Sequence, residues 1–566
     1  MNLLACTTDI FIVIISWYLA FIACCGFGSI LYNFFKLKLD KEDTCFASCW
    51  LGWSFIIVFL SFYHLFLPIN KTISIILLIL GFIFFMKSNI KLKDIYLKHK
   101  ITLIFFIFIV AFLAIQVPFC YDMGFYHLNT IRWLNEYSIV PGIGNLHFRL
   151  GFNQLFFVWP AVLNFHPYFN DYAFHISNSF LFALIGFQLL CNKKTFSKLL
   201  FALMVFMPVP FFWISSCSPD IASFTLQLCI FYFFTSFVRD KEKSKYSVSY
   251  TSLVAIIACI SAFIKLNNAL FALGLGLSAW IFHKFSINND TVKSDCCLWK
   301  RVIIFIIFII LIWITRGYLS TGYPLFPSNI GKINFDWTLP DELTYYVTKC
   351  IKNFAKLGYY DFNSPLLNGL KWVPNWFYYL LQNPFGQISV YLILLSLYCF
   401  INWLIFVTKN KLKKENYVYI TTWIIELFSI VFWFTQAPDI RFAGGLFIIF
   451  AVTGILLLVS ENINIKFSKY IYKSLFIFPI LCYLIIIMFY MNEKTFFIMG
   501  MLKLPKVTMK EMITDSGLKL YVPIVGDQSW DSKLPSTPEF KKNLTLRGKN
   551  IQSGFKILST RNNSSN

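Results

Sequence analysis

Charged side chains are what this 566-residue chain has least of, at 13% of its residues. Soluble domains carry about a quarter, so an ordinary soluble fold is excluded. Acids are the scarcer sign, with 27 Asp and Glu against 49 Lys and Arg. Cysteine occurs 15 times, yet there is no CxxC pair and no Cys/His ligand spacing, and none lies beyond Met491. That excludes a disulfide framework and a structural zinc site. No HExxH occurs among the 7 histidines, which excludes a zinc protease of that type. No internal repeat and no low-complexity linker are present. The first apolar run lacks a basic start and is too long for a signal peptide, so it reads as a span.

What is there is apolar: 58% hydrophobic and 20% aromatic residues, in runs of membrane-spanning length separated by Lys-rich links. The fold class is therefore an all-α polytopic membrane protein. Spans are expected at 9–34, 44–67, 71–88, 101–118, 168–191, 198–214, 219–238, 247–264, 267–284, 302–318, 385–407, 417–436, 441–460 and 470–491, fourteen in all. The close pairs 44–67 with 71–88 and 247–264 with 267–284 suit hairpins. The short run 153–165, broken by Pro160, reads as interfacial or re-entrant. Three parts follow: N-terminal transmembrane helices over 1–100, a transmembrane core over 101–491 with loops 119–167 and 319–384, and a polar tail over 492–566.

A net charge of +22 would suggest nucleic acid in a soluble protein, but here the lysines sit in short loops and report orientation. Counting span ends, alternate loops starting with 35–43 hold 26 Lys and Arg, and the others hold 10, or 11 with Arg441. The positive-inside rule puts the first set in the cytoplasm and both termini outside. Every polar cluster that is not simply basic then falls on the outer face: 118–153, SSCSPD at 215–220, 319–375, APDIR at 437–441 and the tail. The spans read as nearly charge-free.

The stretch Pro118–Asn153 gathers Asp122, His127, Glu136, His147 and Arg149 beside a membrane segment, where such groups are costly and raise a functional question. Phe125, Leu128, Ile131 and Leu134 recur every three residues. That spacing predicts a short interfacial helix with His127 and Arg132 toward its polar side, bounded by Pro118 and Pro141. Asp122 reads either as a base or metal ligand at the membrane surface, or as an acid paired with Arg149 or Arg132. Arg149 suits a phosphate through its bidentate fork, or a salt bridge with Asp122 or Glu136. His127 and His147 read as phosphate- or cation-binding groups or as interfacial hydrogen-bonders. Asp220, Asp439 and Arg441 stand at outer helix starts, where capping is the plainer role. Lys265 and Arg316 either snorkel or face a lipid phosphate. Asn153 closes the stretch as a further substrate-binding candidate. The 319–375 loop is long enough to cap the outer face, and the tail reads as a small outer module fraying after about Thr560.

An Asp just after an early span, followed by an interfacial helix in a long outer loop, resembles the type C (GT-C) glycosyltransferases. The string YDMGFYHLNTIRWLNE…VPGIGNLHFRLGFN is similar to a family of uncharacterised bacterial polytopic membrane proteins. In that family the loop recurs with a GYPLFP-type turn (322–327), a PDIRFA-type run (438–443) and a tail like VPIVGDQSWDSKLPSTP. The GT-C resemblance implies a polyprenyl-phosphate-linked sugar donor, inversion, and Asp122 as the group that activates the acceptor or binds a divalent cation such as Mg or Mn. Its frequent paired acid is absent, since Met123 follows Asp122, which counts against the metal role and leaves the base role open. The implied protein is a multi-pass glycosyltransferase of a bacterial plasma membrane. Its partners are a lipid-linked donor and membrane lipids, with no nucleic acid. A transporter or flippase of lipid-linked glycans, or an O-antigen polymerase or ligase, is the alternative.

Overall fold

The computed structural model describes residues 3–95, 97, 99–116, 118, 120–164, 173–207, 213–239, 247–286, 292–409, 414–460 and 504–558. Within them the chain is mostly helical. Seven helical stretches are long and apolar enough to cross a membrane: Thr7–Phe34, Lys41–Tyr63, Pro219–Val238, Leu266–Lys284, Cys296–Thr321, Pro384–Val407 and Asn416–Gln436. This is the make-up of a membrane protein. Shorter apolar helices occupy Lys71–Met86, Lys100–Ala114, His175–Leu190, Phe196–Val205, Val248–Ile264 and Leu446–Ser460. The expected span at 470–491 lies outside the described residues.

Packing sorts these helices into a centre and a rim. The Pro219–Val238 window is 89% buried, whereas Cys296–Thr321 and Pro384–Val407 are 28% buried. The rim helices turn Ile304, Ile307, Leu311, Leu394 and Ile401 outward, apolar exposure of the kind that suits lipid contact rather than water. Of the two expected hairpins one forms, Ser247–Ile264 packing on Ala269–Ser286; in the other, Lys41–Tyr63 and Lys71–Met86 each pack on the N-terminal helix Leu3–Phe34 rather than on one another. Helix ends follow local chemistry. Asn70 accepts from the Thr72 and Ile73 N–H groups at 3.1 and 3.2 Å, an N-cap. Gly358 closes Asp341–Leu357 with φ of 80°, a left-handed C-cap.

Several expectations are corrected. The chain is not all helix: the tail forms two antiparallel pairs, Met509–Ile513 with Lys519–Pro523 and Leu544–Leu546 with Phe555–Ile557. The helix before the polar stretch stops at Ala114, short of Pro118. The next ends at Glu136, short of Pro141, because the Ile139 N–H turns away to bond the His64 carbonyl at 2.9 Å. Residues 153–164 hold the short helix Val158–Leu163, buried against its neighbours, with Trp159 2% exposed. The helices are also not free of buried charge, since Asp43, Arg316 and Glu426 lie inside them.

The tail is built onto the polar stretch. Trp133, Val140, Ile143, Leu146 and Leu150 share one apolar core with Leu520, Leu534, Leu544 and Phe555. The Phe555 N–H bonds the Pro141 carbonyl at 2.9 Å, and Arg132 Nη1 donates to the Asp531 and Ser532 carbonyls at 2.8 Å. The Ser529 and Trp530 N–H groups both donate to the Gly124 carbonyl at 2.9 Å. A Cβ on Gly124 would lie 2.4 Å from the Trp530 indole, so the glycine is required by that close approach.

Candidate functional site

The site begins with a distortion in the backbone. Residues Met123–His127 form one turn of π-helix before the α-helix Leu128–Glu136, a rare geometry frequent at functional positions. Asp122 precedes that turn, and its side chain makes no capping bond. Instead it reaches two guanidiniums: Arg149 Nη1 lies 3.4 Å from Oδ1 and Arg441 Nη1 lies 3.3 Å from Oδ2. Arg149 comes from the short turn Phe148–Gly151, with its guanidinium 4.7 Å from the Phe125 ring centroid and 5.3 Å from that of Tyr126. Those faces attract its charge and fix its position. Arg441 is held from the other side by Asp439, which accepts the Arg441 Nε at 2.9 Å and its backbone N–H at 3.1 Å.

A second pair stands beside the first. Asp220 opens the helix Pro219–Arg239, accepts from the Ser218 hydroxyl at 2.9 Å, and pairs with Lys265. The Lys265 ammonium also sits 4.2 Å from the Phe442 ring centroid. Asp122, Arg149, Asp220, Lys265 and Arg441 all line one cavity of about 300 Å³, roofed by Val347, Cys350, Ile351 and Phe354 of the helix Asp341–Leu357. Its walls are incompletely satisfied. Both ring nitrogens of His127, Arg149 Nε, Gln154 Oε1 and Asn267 Oδ1 are buried without a hydrogen-bond partner among the described residues. Unpaired buried polar atoms cost free energy, and their concentration around one void marks a place that a polar ligand completes.

Electrostatics set the charge states. Burial pushes the Asp122 carboxyl upward, but the neighbouring cations, Arg149 foremost and then Arg441 and Lys265, outweigh it and hold the group below the usual carboxylate range. Burial pushes the His127 imidazole down to about 4, against the pull of Asp122 and Asp220. His127 is therefore neutral at pH 7. Asp122 and Asp220 face Arg149, Lys265 and Arg441 on the cavity wall, and Asp439 pairs Arg441 from behind.

The remaining candidates take other places. Asn153 lines the cavity, but its Nδ2 donates to the Trp313 carbonyl at 2.6 Å and its own carbonyl accepts the Trp313 indole at 2.8 Å. It positions the wall. His147 is buried off the cavity, 5.1 Å from Phe125 and 5.0 Å from Phe148, and burial holds it well below the usual imidazole value. His127 is 1% exposed beside Tyr126 and Phe157, which overturns its expected place on a polar face: the π-turn rotates it inward. Arg316 lies apart, its Nη1 3.0 Å from His64 Nδ1 and 3.2 Å from the Ser61 carbonyl. Asp439 lies behind Arg441 and faces a neighbouring cavity. Arg132, the other partner proposed for Asp122, pairs with Glu136 and Asp531 instead.

Sequence reasoning missed Gln154, Asn267, Tyr126 and Phe442; the only trace of the amides is a lone polar residue at the margin of an apolar run. Among the described residues, no group of three His, Cys, Asp or Glu could hold a metal ion. Both carboxylates on the cavity are already paired with cations, so the donor set does not fit a divalent cation.

Residues 10–449 match the family described as Domain of unknown function (DUF8201), and the chain belongs to that family. Neither the curated proteins nor the solved structures include a match to the chain.

Proposed function

We propose that this protein is a membrane glycosyltransferase of GT-C type that moves a sugar from a polyprenyl-phosphate donor to an acceptor on the outer face of a bacterial plasma membrane. The observation that carries this reading is Asp122, an ionised carboxylate slung between two guanidiniums on the wall of a polar cavity. It is paired, as a salt-bridge role requires, yet at 3.3 and 3.4 Å both contacts are loose, and the acid remains on the cavity surface.

Three cations grouped on one wall suit a phosphodiester anion. In this reading the phosphate arrives against Arg149, Arg441 and Lys265 and draws the guanidiniums toward itself. Asp122 then keeps its burial but loses part of its cationic support, so its pKa rises toward that of an effective base. The acceptor hydroxyl attacks the anomeric carbon while the carbon–oxygen bond to phosphate breaks. The hydroxyl proton passes to the Asp122 carboxylate, and the electron pair leaves with the phosphate, whose charge the cations neutralise. Direct displacement inverts the anomeric carbon. About fourteen spans with both termini outside, as the loop charges imply, give the lipid donor access to this end of the bundle.

The test is transfer of radiolabelled sugar from a panel of polyprenyl-phosphate sugars in proteoliposomes, comparing wild type with Asp122→Asn. Full transfer by a normally folded Asp122→Asn protein overturns the base assignment.

A second reading, transport of a lipid-linked glycan, draws support from Glu426. It is buried in the helix Lys414–Gln436 and accepts from the Thr453 hydroxyl at 2.8 Å, with Oε2 unpartnered. An acid at that depth is a common mark of a transporter. Loss of glycan translocation in Glu426→Gln, with Asp122→Asn unaffected, would favour it.

A further inference from the structure

A second and larger cavity, of about 760 Å³, lies against the far side of Arg441. It shares Arg441 and Phe354 with the charged cavity, and Arg441 in turn touches Asp122. Its walls differ in kind from those next door. Trp213, Tyr359, Trp376 and Tyr379 present aromatic rings, with Asn383 and Asp439 at the edge. Trp376 is a braced platform: its indole N–H is fixed on the Pro438 carbonyl at 2.9 Å, and its ring packs 5.3 Å from Phe434 and 6.0 Å from Trp433. Two cations line the cavity: Lys356, whose ammonium lies 5.1 Å from the Trp372 ring centroid, and Arg441, which holds Asp439. Tyr359 and Tyr379 are both exposed, and no hydrogen bond to another side chain or carbonyl engages their hydroxyls among the described residues.

The protein also shows what a site for alkyl chains looks like. A cavity of about 410 Å³ among the N-terminal helices is lined almost wholly by aliphatic carbon, from Ile12, Ile15, Leu19, Leu77, Leu78 and Leu163. The aromatic cavity lacks that character. Ring faces carry partial negative charge and attract C–H groups made slightly positive by neighbouring oxygens, and phenol hydroxyls donate and accept as neutral alcohols do. Rings with free hydroxyls suit a flat-faced polyol, which stacks on the faces and exchanges hydrogen bonds with the phenols.

We infer that this cavity binds a neutral saccharide and, resting on the transferase reading for its role, that it is the acceptor site. An acceptor seated on Trp376 and Tyr379 would pass its reactive hydroxyl beside Arg441 to reach Asp122. Tyr359 and Tyr379 would set which sugar is taken.

The experiment is saturation-transfer NMR on the full chain in nanodiscs without donor, using cellotriose, maltotriose, mannotriose and chitotriose as probes. At least one trisaccharide is expected to bind. Tyr359→Ala with Tyr379→Ala should weaken it tenfold or more, and Tyr379→Phe should keep most of the binding because the ring remains. Both tyrosines are exposed, so these variants fold. Asp122→Asn should bind the saccharide as wild type does, which separates this inference from the base assignment: loss of transfer with retained binding supports both. Binding of none of the four probes overturns the inference. So does binding that the double variant leaves intact, or that undecaprenyl phosphate competes away, which would make the groove a lipid site.

Discussion

Two buried aspartates stand in different settings. Asp43, in the first turn of Lys41–Tyr63, accepts the Tyr232 hydroxyl at 2.5 Å and also the hydroxyl of Tyr250. It is 1% exposed and lines none of the cavities described above. Around it lie the Lys-bearing connections, with Lys193 paired to Glu42 and the Lys38 N–H bonded to Ser249. Asp122 meets two guanidiniums, at longer range, on the wall of a void with unsatisfied neighbours. A sealed acid held by short hydrogen bonds ties elements together, whereas a loosely paired acid beside empty space is open to a ligand. Burial alone does not separate structural from chemical carboxylates; the company and the adjoining space do.

The sharpest way to break this contrast is to exchange functions between the two acids. Asp122→Asn should reduce sugar transfer at least ~100-fold, the lower end of what a positioned base supplies, and lower the melting temperature as well, since Arg149 and Arg441 lose a shared carboxylate; the loss of transfer is read in the folded fraction. Asp43→Ala should act on stability alone, costing about 1–3 kcal/mol by stranding two buried hydroxyls, read as a lower melting temperature with activity retained in the folded fraction. Equal effects on activity would erase the distinction.

Acid should next test the region around Asp122. His127 has its imidazole lowered to about 4 in the folded protein, against about 6.5 unfolded. The unfolded chain binds the extra proton first, so stability is full above pH 6.5 and falls as pH drops from there toward 4, by about 3 kcal/mol in all. Asp122, lowered in the folded state, adds a loss only further down, as pH falls below the ordinary carboxylate value. Hydrogen exchange should therefore quicken around 121–150 as the pH falls from 6.5 toward 4, and His127→Gln should flatten the slope.

A smaller effect tests the clasp on the polar stretch. Gly124→Ala forces a methyl into the Trp530 indole and should cost about 1–3 kcal/mol, seen as faster proteolysis of the tail. Trp530→Ala should relieve part of that cost in the double variant. The smallest effect belongs to Lys193→Ala. Its partner pair is 59% and 29% exposed, and removing it should change stability by no more than ~0.5 kcal/mol.

Much of the arrangement could be read from residue order. Apolar runs located the long helices because lipid-facing and core-facing surfaces are both apolar, and DELTYYVTKCIKNFAKLG declared the roof helix through its amphipathic spacing and terminal glycine. The loop around Asp122 stood out because charge is rare elsewhere. The pairing of Asp122 with Arg441 could not be seen: the two lie 319 positions apart, and no local pattern encodes that meeting. The inward turn of His127 was hidden because a π-turn shifts every following side chain around the helix axis. Glu426 was passed over as one acid within an apolar helix, though its isolation was itself the signal. The strand pairs of the tail are too short for alternation to reveal them.

The apolar core that joins Trp133 to Phe555 has a consequence for how the molecule matures. The residues around Trp133 are synthesised well before those around Phe555, so the loop around Asp122 gains the second half of its core only after the intervening helices have been made. Any chain that stalls or is clipped before its final strands would leave the loop without its clasp, whatever the state of the helices beneath. The strands around Phe555 thus decide whether the loop around Asp122 is covered.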